Sequence, residues 1–141
     1  LLLFLQMSLD VTIYEKKKCK CWEYHKWSEL YSSNITHNLG DMAVKAWIYE
    51  ALRRPYMLKE WYIDPNDYQL DSIYEQEQTI FAKDLIPVIA KGLKDMKKRP
   101  WHYKKFDAPN WRGTYEHFVP WIEDYLHYLD MYDDWIVEVS R

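Results

Sequence analysis

Ala82, Leu85, Ile86, Ile89, Ala90, Leu93 and Met96 recur at spacings of three and four. That period lays one apolar stripe along a helix, and such a helix folds only if another element covers the stripe. Pro87 falls inside the run. It is tolerated if Asp84 caps the helix and Pro87 sits in its first turn; otherwise it kinks the helix. Pro100, just after Lys97-Lys98-Arg99, stops it. A second stripe, Phe118, Ile122, Tyr125, Leu126, Leu129 and Tyr132, follows Thr114 as its cap, with Pro120 in the opening turns. A third covers about 38–53, where Leu39, Met42, Ala43, Ala46, Tyr49 and Leu52 or Arg53 share a face. Asn38 or Thr36 serves as its N-cap, Asp41 suits the positive end, and Arg53 and Arg54 suit the negative end. Pro55 excludes helical geometry at Arg54 and closes it.

Three stripes need a shared apolar surface, and the two ends of the chain supply strands. Leu1 to Met7 is a continuous apolar run, Asp10 to Tyr14 alternates and is β-branched, and Trp135 to Ser140 alternates again after an Asp133-Asp134 turn. The first two are either separate strands or one long bent strand. The expected fold is α+β: a small antiparallel sheet from the N- and C-terminal strands packed against about three helices, in a single domain over 1–141. The last strand is expected beside Leu1–Met7. That opening run is far short of the ~20 residues a membrane span requires. We read it as a buried strand in a chain whose first residues precede Leu1. Lys16 to Lys20 reads as a charged edge or turn, Cys21 to Tyr31 as strand or irregular structure, and Tyr56 to Gln78 as a polar segment that either lies over the body or moves as a flap. Trp101 to Arg112 reads as loop.

Composition narrows the function. With 141 residues there is enough chain for one real core. A net charge of -3 argues against a general binder of polymeric nucleic acid, which needs excess cations to displace counterions. The 13 Tyr, 8 Trp and 4 Phe are too many for a core of this size. Many must sit half-buried with a polar tip outward, as at an oligomer interface or a stacking pocket. Cys19 and Cys21 point to opposite faces if they lie on a strand, so a bridge between them is disfavoured, and a lone Cys-x-Cys is a weak zinc signal. Free thiols fit a cytoplasmic protein. Asn34-Ile35-Thr36 matches a glycosylation triplet, with nothing else pointing to secretion. The histidines show no metalloenzyme spacing, and neither a phosphate-binding Gly-rich loop nor a nucleophile elbow is present. No metal, cofactor or catalytic residue is assigned.

Two clusters remain as candidate binding residues. His37 and Asn38 stand at a helix start, where free amides and the dipole favour an anion. Arg53 and Arg54 would serve as charge partners, but they lie ~22 Å away along one continuous helix, so a second subunit or a loop would have to bring them together. Asn110, Trp111, Arg112 and Tyr115 surround Gly113 at the entry to the last helix, with a stacking face and a planar guanidinium. Trp101 sits nearby among cations. For both clusters the alternative is structural: helix capping around His37, and a core plug by Trp111.

The run Ile35-Thr36-His37-Asn38-Leu39-x-x-Met42-Ala43-x-x-Ala46-x-Ile48-Tyr49-x-Ala51-Leu52-x-Arg54-Pro55 resembles a signature of small phage and prophage proteins of uncharacterised function. The likeness continues through Asp84-Leu85-Ile86-Pro87 with Gly92-Leu93, and Asn110-Trp111-x-Gly113-Thr114-Tyr115-Glu116. It closes with Phe118-Val119-Pro120-Trp121 and Val137-x-Val139-Ser140-Arg141. It spans roughly residues 33–141, leaving out the N-terminal part and 61–77. Members carry Trp before Arg-Pro and Asn-Gly-Trp-Gly, where this chain has Arg53 and Asn110-Trp111-Arg112-Gly113. The resemblance implies a phage origin and residence in the cytoplasm of an infected bacterium. Phage accessory proteins of this size include sponges that sequester the cyclic nucleotides of bacterial immune signalling, as oligomers with aromatic, arginine-lined pockets. The expectation by that analogy is a non-enzymatic, homo-oligomeric protein that sequesters a small, cyclic nucleotide. An inhibitor that contacts a host enzyme directly, or a nucleotide-cleaving enzyme using His37 or His102, are the alternatives.

Overall fold

The computed structural model describes residues 8–18, 24–36, 39–58, 80–107 and 113–140. They form an α+β fold with a four-stranded antiparallel sheet in the order β2-β1-β4-β3. The elements are β1 (Ser8–Lys18), β2 (Tyr24–Thr36), α1 (Gly40–Lys45), α2 (Tyr49–Arg53), β3 (Ile80–Phe81), α3 (Ala82–Lys98), α4 (Pro100–Lys104), α5 (Tyr115–Met131) and β4 (Ile136–Ser140). A 3-10 turn, Pro55–Leu58, follows α2.

β1 is central because its alternation gives it a fully apolar face: Leu9, Val11 and Ile13 are all buried. It pairs along its whole length with β2, from Ser8 opposite Thr36 to Lys18 opposite Tyr24, with irregularities around Tyr14. β4 pairs with Asp10 to Tyr14 of β1 on the other side. The chain's last strand therefore lies beside the Asp10–Tyr14 segment; the expected Leu1–Met7 strand falls outside the described residues, as do Cys19 and Cys21. Lys16 to Lys18 are in β1 and not in a turn. They continue the β1–β2 ladder past the end of the β4 pairing. The segment left open between strand and irregular structure is β strand from Tyr24 onward.

α3 and α5 lie antiparallel over the sheet, as their cross-links show. Lys83 at the start of α3 meets Asp134 beyond the end of α5 at 3.2 Å, and Lys97 near its end meets Glu123 at 3.6 Å. The Tyr115 hydroxyl donates to the Met96 carbonyl at 2.9 Å. The stripes read from the sequence are the buried ones: Leu85, Ile89, Leu93 and Met96 on α3, Phe118, Ile122, Tyr125 and Leu129 on α5. Tyr31 of β2 stacks on Tyr128 with ring centroids 4.3 Å apart and donates its hydroxyl to Asp124 at 3.1 Å. The Trp121 indole donates to Ser33 Oγ at 2.8 Å, fixing α5 on the edge strand. Among the described residues no helix is long and apolar enough to cross a membrane.

Several local expectations are corrected. The helix expected over 38–53 is two short helices, α1 and α2, broken at Ala46–Ile48. The N-cap position of α1 is Leu39, which makes no side-chain cap; Thr36 ends β2, and Asn38 lies outside the described residues. Pro87 is the sixth residue of α3 and not in its first turn. The opening amides of the helix are satisfied from outside: Ala82 N–H bonds to Trp135 O and Lys83 N–H to Asp133 O, each at 2.9 Å. Asp84, expected as the cap, instead reaches back to the Phe81 amide at 2.9 Å. Part of the expected 101–112 loop is α4, whose proline at the first position is preset for a helix. Thr114 does stand at the N-cap of α5, but its hydroxyl bonds to His117 Nδ1 at 2.8 Å; the Asp107 carboxylate accepts from the Tyr115 amide instead.

Candidate functional site: a tryptophan-edged basic cleft

The break between α1 and α2 builds the site. After Lys45 the chain closes with two tight bonds, Trp47 N–H to Val44 O at 3.1 Å and Ile48 N–H to Ala43 O at 3.0 Å. This pair is the Schellman pattern, which needs a left-handed residue one place past the helix, usually glycine. Here that residue is Trp47, with φ of 61°. A left-handed L-residue costs roughly 1–2 kcal/mol. Ile48, the next residue, turns inward and is fully buried.

Gly92 of α3 makes room for this turn. A Cβ at Gly92 would stand 2.2 Å from Ile48 Cγ2 and 2.8 Å from the Ala46 carbonyl oxygen. Only a glycine lets the backbone of 46–48 lie this close to the helix. With Ala46 and Ile48 pressed against α3, the Trp47 ring projects outward and is 87% exposed. An apolar ring of that size, held outside the core on a strained backbone, is the kind of outlier that points to a binding role.

The ring borders a cleft of about 870 Å³ between the α1–α2 turn and the outer face of α3. Lys45, Lys91, Lys94, Lys98 and Arg99 line it, with Asp95 as its carboxylate. The charge is local. From Lys83 to Lys105 the chain carries eight Lys or Arg against two Asp; from Tyr115 to Ser140 it carries seven Asp or Glu and no Lys or Arg. The net charge of -3 sums these two segments with the rest of the chain and hides the basic face. Along the α3–α5 seam the opposite charges meet: Lys83 with Asp134, Lys97 with Glu123, and Lys104 with Glu116 at 3.1 Å. On the cleft face, among the described residues, no carboxylate pairs with Lys45, Lys91, Lys94 or Lys98. The Lys45 ammonium lies over the Phe106 ring, 5.9 Å from its centroid.

Asp95 is committed elsewhere. It accepts a fork from Arg99, Nη2 at 2.7 Å and Nε at 3.1 Å, and a short hydrogen bond from the Tyr103 hydroxyl. The Arg99 bonds, then the Tyr103 bond, hold its carboxyl down at about 2. Burial, reinforced by Asp95, pushes the Tyr103 phenol up to about 12. His102 is shifted down by burial and by the neighbouring charges of Lys105, Arg99 and Lys45. The Tyr103 oxygen also lies 3.5 Å from the Lys45 carbonyl, tying α4 to the cleft's far wall. The arrangement is a positive, partly aromatic concavity whose acid and phenol are locked in fixed protonation states. Among the described residues no group of three His, Cys, Asp or Glu could hold a metal ion.

The residues singled out in the sequence fall as follows. His37, Asn38, Asn110, Trp111 and Arg112 lie outside the described residues. Arg53 is half-buried, its guanidinium over the Tyr49 ring and Nη1 donating to the Tyr49 hydroxyl at 3.2 Å. Arg54 follows α2 at its C-cap, half-buried. Because the helix breaks at Trp47, the 22 Å separation derived for one straight helix does not describe these two arginines. Tyr115 is half-buried, its ring under Lys104 at 5.4 Å and its hydroxyl bracing α5 on α3. Trp101, in the first turn of α4, is 69% exposed just beyond Arg99. Sequence reading missed Trp47, Gly92 and the lysine row. The signals were there: a Trp off the apolar stripe of its helix, and a Gly inside the best-patterned helix of the chain.

No family model, no curated protein and no solved structure matches this chain.

Proposed function

We propose that this protein is a non-catalytic binder of a small phosphorylated ligand bearing a planar ring, that is, of a nucleotide. The observation that carries the reading is Trp47: a ring 87% exposed, on left-handed backbone, at the edge of a cleft whose lysines lack carboxylate partners among the described residues. A base stacks on an indole for about 1–3 kcal/mol, and the ammonium groups attract phosphate. The cleft volume falls in the range usual for small-ligand sites, roughly 300–1,000 Å³. Holding rather than turning over the ligand is favoured by Asp95 and Tyr103. A carboxylate at about 2 is a poor base and a phenol at about 12 a poor acid near neutral pH.

Within the phage family that the sequence resembles, such a binder would serve by sequestration, withdrawing a cyclic nucleotide signal from a bacterial defence. The test is a thermal-shift panel of mono-, cyclic mono-, cyclic di- and cyclic trinucleotides, followed by mass spectrometry of the ligand released on denaturation. The reading expects a shift with at least one nucleotide and its return unchanged. A chemically altered ligand would make the protein an enzyme, with His102 as the first residue to substitute. No shift with any nucleotide, together with a host protein that co-purifies, would replace this reading with direct inhibition of that partner.

A further inference from the structure

Lys91, Lys94 and Lys98 stand at i, i+3 and i+7 on α3, so their Cα atoms fall on one side of the helix. At about 1.5 Å per residue they span about 10.5 Å along its axis. Successive phosphates of a nucleic-acid strand are separated by a whole nucleoside, so three lysines spread along the helix can each meet one of three successive phosphates. A nucleoside triphosphate crowds its charges onto directly bridged phosphoryl groups, and three ammonium groups would have to converge against their own repulsion to meet it. The aromatic groups give a second, independent indication. Trp47 stands level with Gly92, because the residues on either side of it are those that touch Gly92. Trp101 begins the next helix, beyond Arg99. Both rings are exposed: Trp47 lines the cleft beside Lys91, and Trp101 follows Lys98 by three residues in the chain. One base can occupy only one of them.

Resting on the nucleotide-binding reading above, we infer that the ligand is a short oligonucleotide. Two bases stack at Trp47 and Trp101, and phosphodiesters at nucleoside spacing lie along Lys91, Lys94 and Lys98. The site reads the number and spacing of phosphates, not a 5′ polyphosphate.

Calorimetric titration of the whole chain with ATP and with di-, tri- and dodecaadenylate, each bearing a 5′-monophosphate so that the trimer carries three phosphates, tests this. Affinity should rise at least about tenfold from ATP to triadenylate and then level off, once the extra registers of the dodecamer are counted. The log–log salt slope for triadenylate should be about -2, at about -0.7 per phosphate contact. Lys94→Gln, an exposed position, should reduce that slope by about 0.7 while leaving the thermal midpoint unchanged. Trp101→Ala should weaken triadenylate and leave ATP unaffected. ATP binding as tightly as triadenylate would overturn the oligonucleotide inference and leave nucleotide binding standing. Affinity that keeps rising to the dodecamer would overturn it in favour of a polymer-binding face. No binding by any probe would sink both readings.

Discussion

Trp47 offers a substitution whose sign is unusual. Inside or beside a helix, Ala normally stabilises over Gly by about 1 kcal/mol. At Trp47 the backbone is left-handed, with φ of 61°, so alanine keeps the roughly 1–2 kcal/mol penalty that glycine escapes. Glycine gives back roughly 0.5–1 kcal/mol through its freer unfolded chain. The balance favours Trp47→Gly over Trp47→Ala by about 0.5–1 kcal/mol. The indole itself contributes little, since 87% of the residue is exposed; losing the remainder forfeits on the order of 0.8 kcal/mol at about 25 cal/mol/Å². Trp47→Gly should therefore fold within about 1 kcal/mol of the parent, whereas truncating a buried aromatic costs about 3–5 kcal/mol. For 141 residues the unfolding entropy is about 0.3 kcal/mol/K, so the Gly variant should melt about 2–3 °C above the Ala variant. Urea and thermal unfolding of the three proteins read this directly. An Ala variant as stable as the Gly variant, or more so, would mean that residue 47 is not left-handed and that the turn does not project the ring as described. Both variants should bind nucleotide about 5- to 150-fold more weakly, the loss of one stack.

Gly92→Ala should destabilise by about 2 kcal/mol, measured in urea: overpacking costs about 3 kcal/mol at the tight end of its range, where contacts of 2.2 Å to Ile48 and 2.8 Å to the Ala46 carbonyl place it, offset by about 1 kcal/mol of helix propensity. Ser33→Ala should cost about 1 kcal/mol by leaving the half-buried Trp121 indole N–H without its acceptor. The pH profile of the melting temperature should fall at both ends. Asp95 has its folded value depressed to about 2, so its contribution is present above its ordinary range and lost as pH drops from about 4 to about 2; Asp95→Asn should flatten that limb. Tyr31 and Tyr103 are raised to about 12, so their contribution is complete below about 10 and lost as pH climbs from there; Tyr103→Phe should soften that limb.

The fold was legible where the chain obeys one period. The α3 and α5 stripes and the β1 alternation each reported a buried face, and those faces are the core. What sequence reading could not see was set by contacts between distant residues. The α1–α2 break carries neither Gly nor Pro; it exists because Ala46 and Ile48 dock on Gly92, more than forty positions away. The stripe Leu39, Met42, Ala43, Ala46 fits a continuous helix just as well until that docking is known. Pro87 and Pro120 each occupy the sixth position of a helix, and the opening amides of α3 bond to carbonyls of residues 133 and 135, partners about fifty positions away. The site was obscured for a different reason. Whole-chain charge concealed a basic face, because the acidic α5–β4 segment cancels it in the sum. Residues chosen for their helix-end and loop positions, Arg53 and Tyr115 among them, prove to hold structure through Tyr49 and Met96. Among the described residues Trp101 is a sequence-derived candidate that stands exposed, two residues past Arg99 of the cleft lining.

The central claim is that Trp47 is a stacking platform for a nucleotide. The Trp47 indole N–H can be observed directly in a proton–nitrogen correlation spectrum, its resonance identified as the one that disappears in Trp47→Gly. On titration with triadenylate it should shift saturably, following the calorimetric binding curve, while the buffered salt control leaves it in place. Saturable binding that leaves the Trp47 indole resonance unmoved would contradict the account.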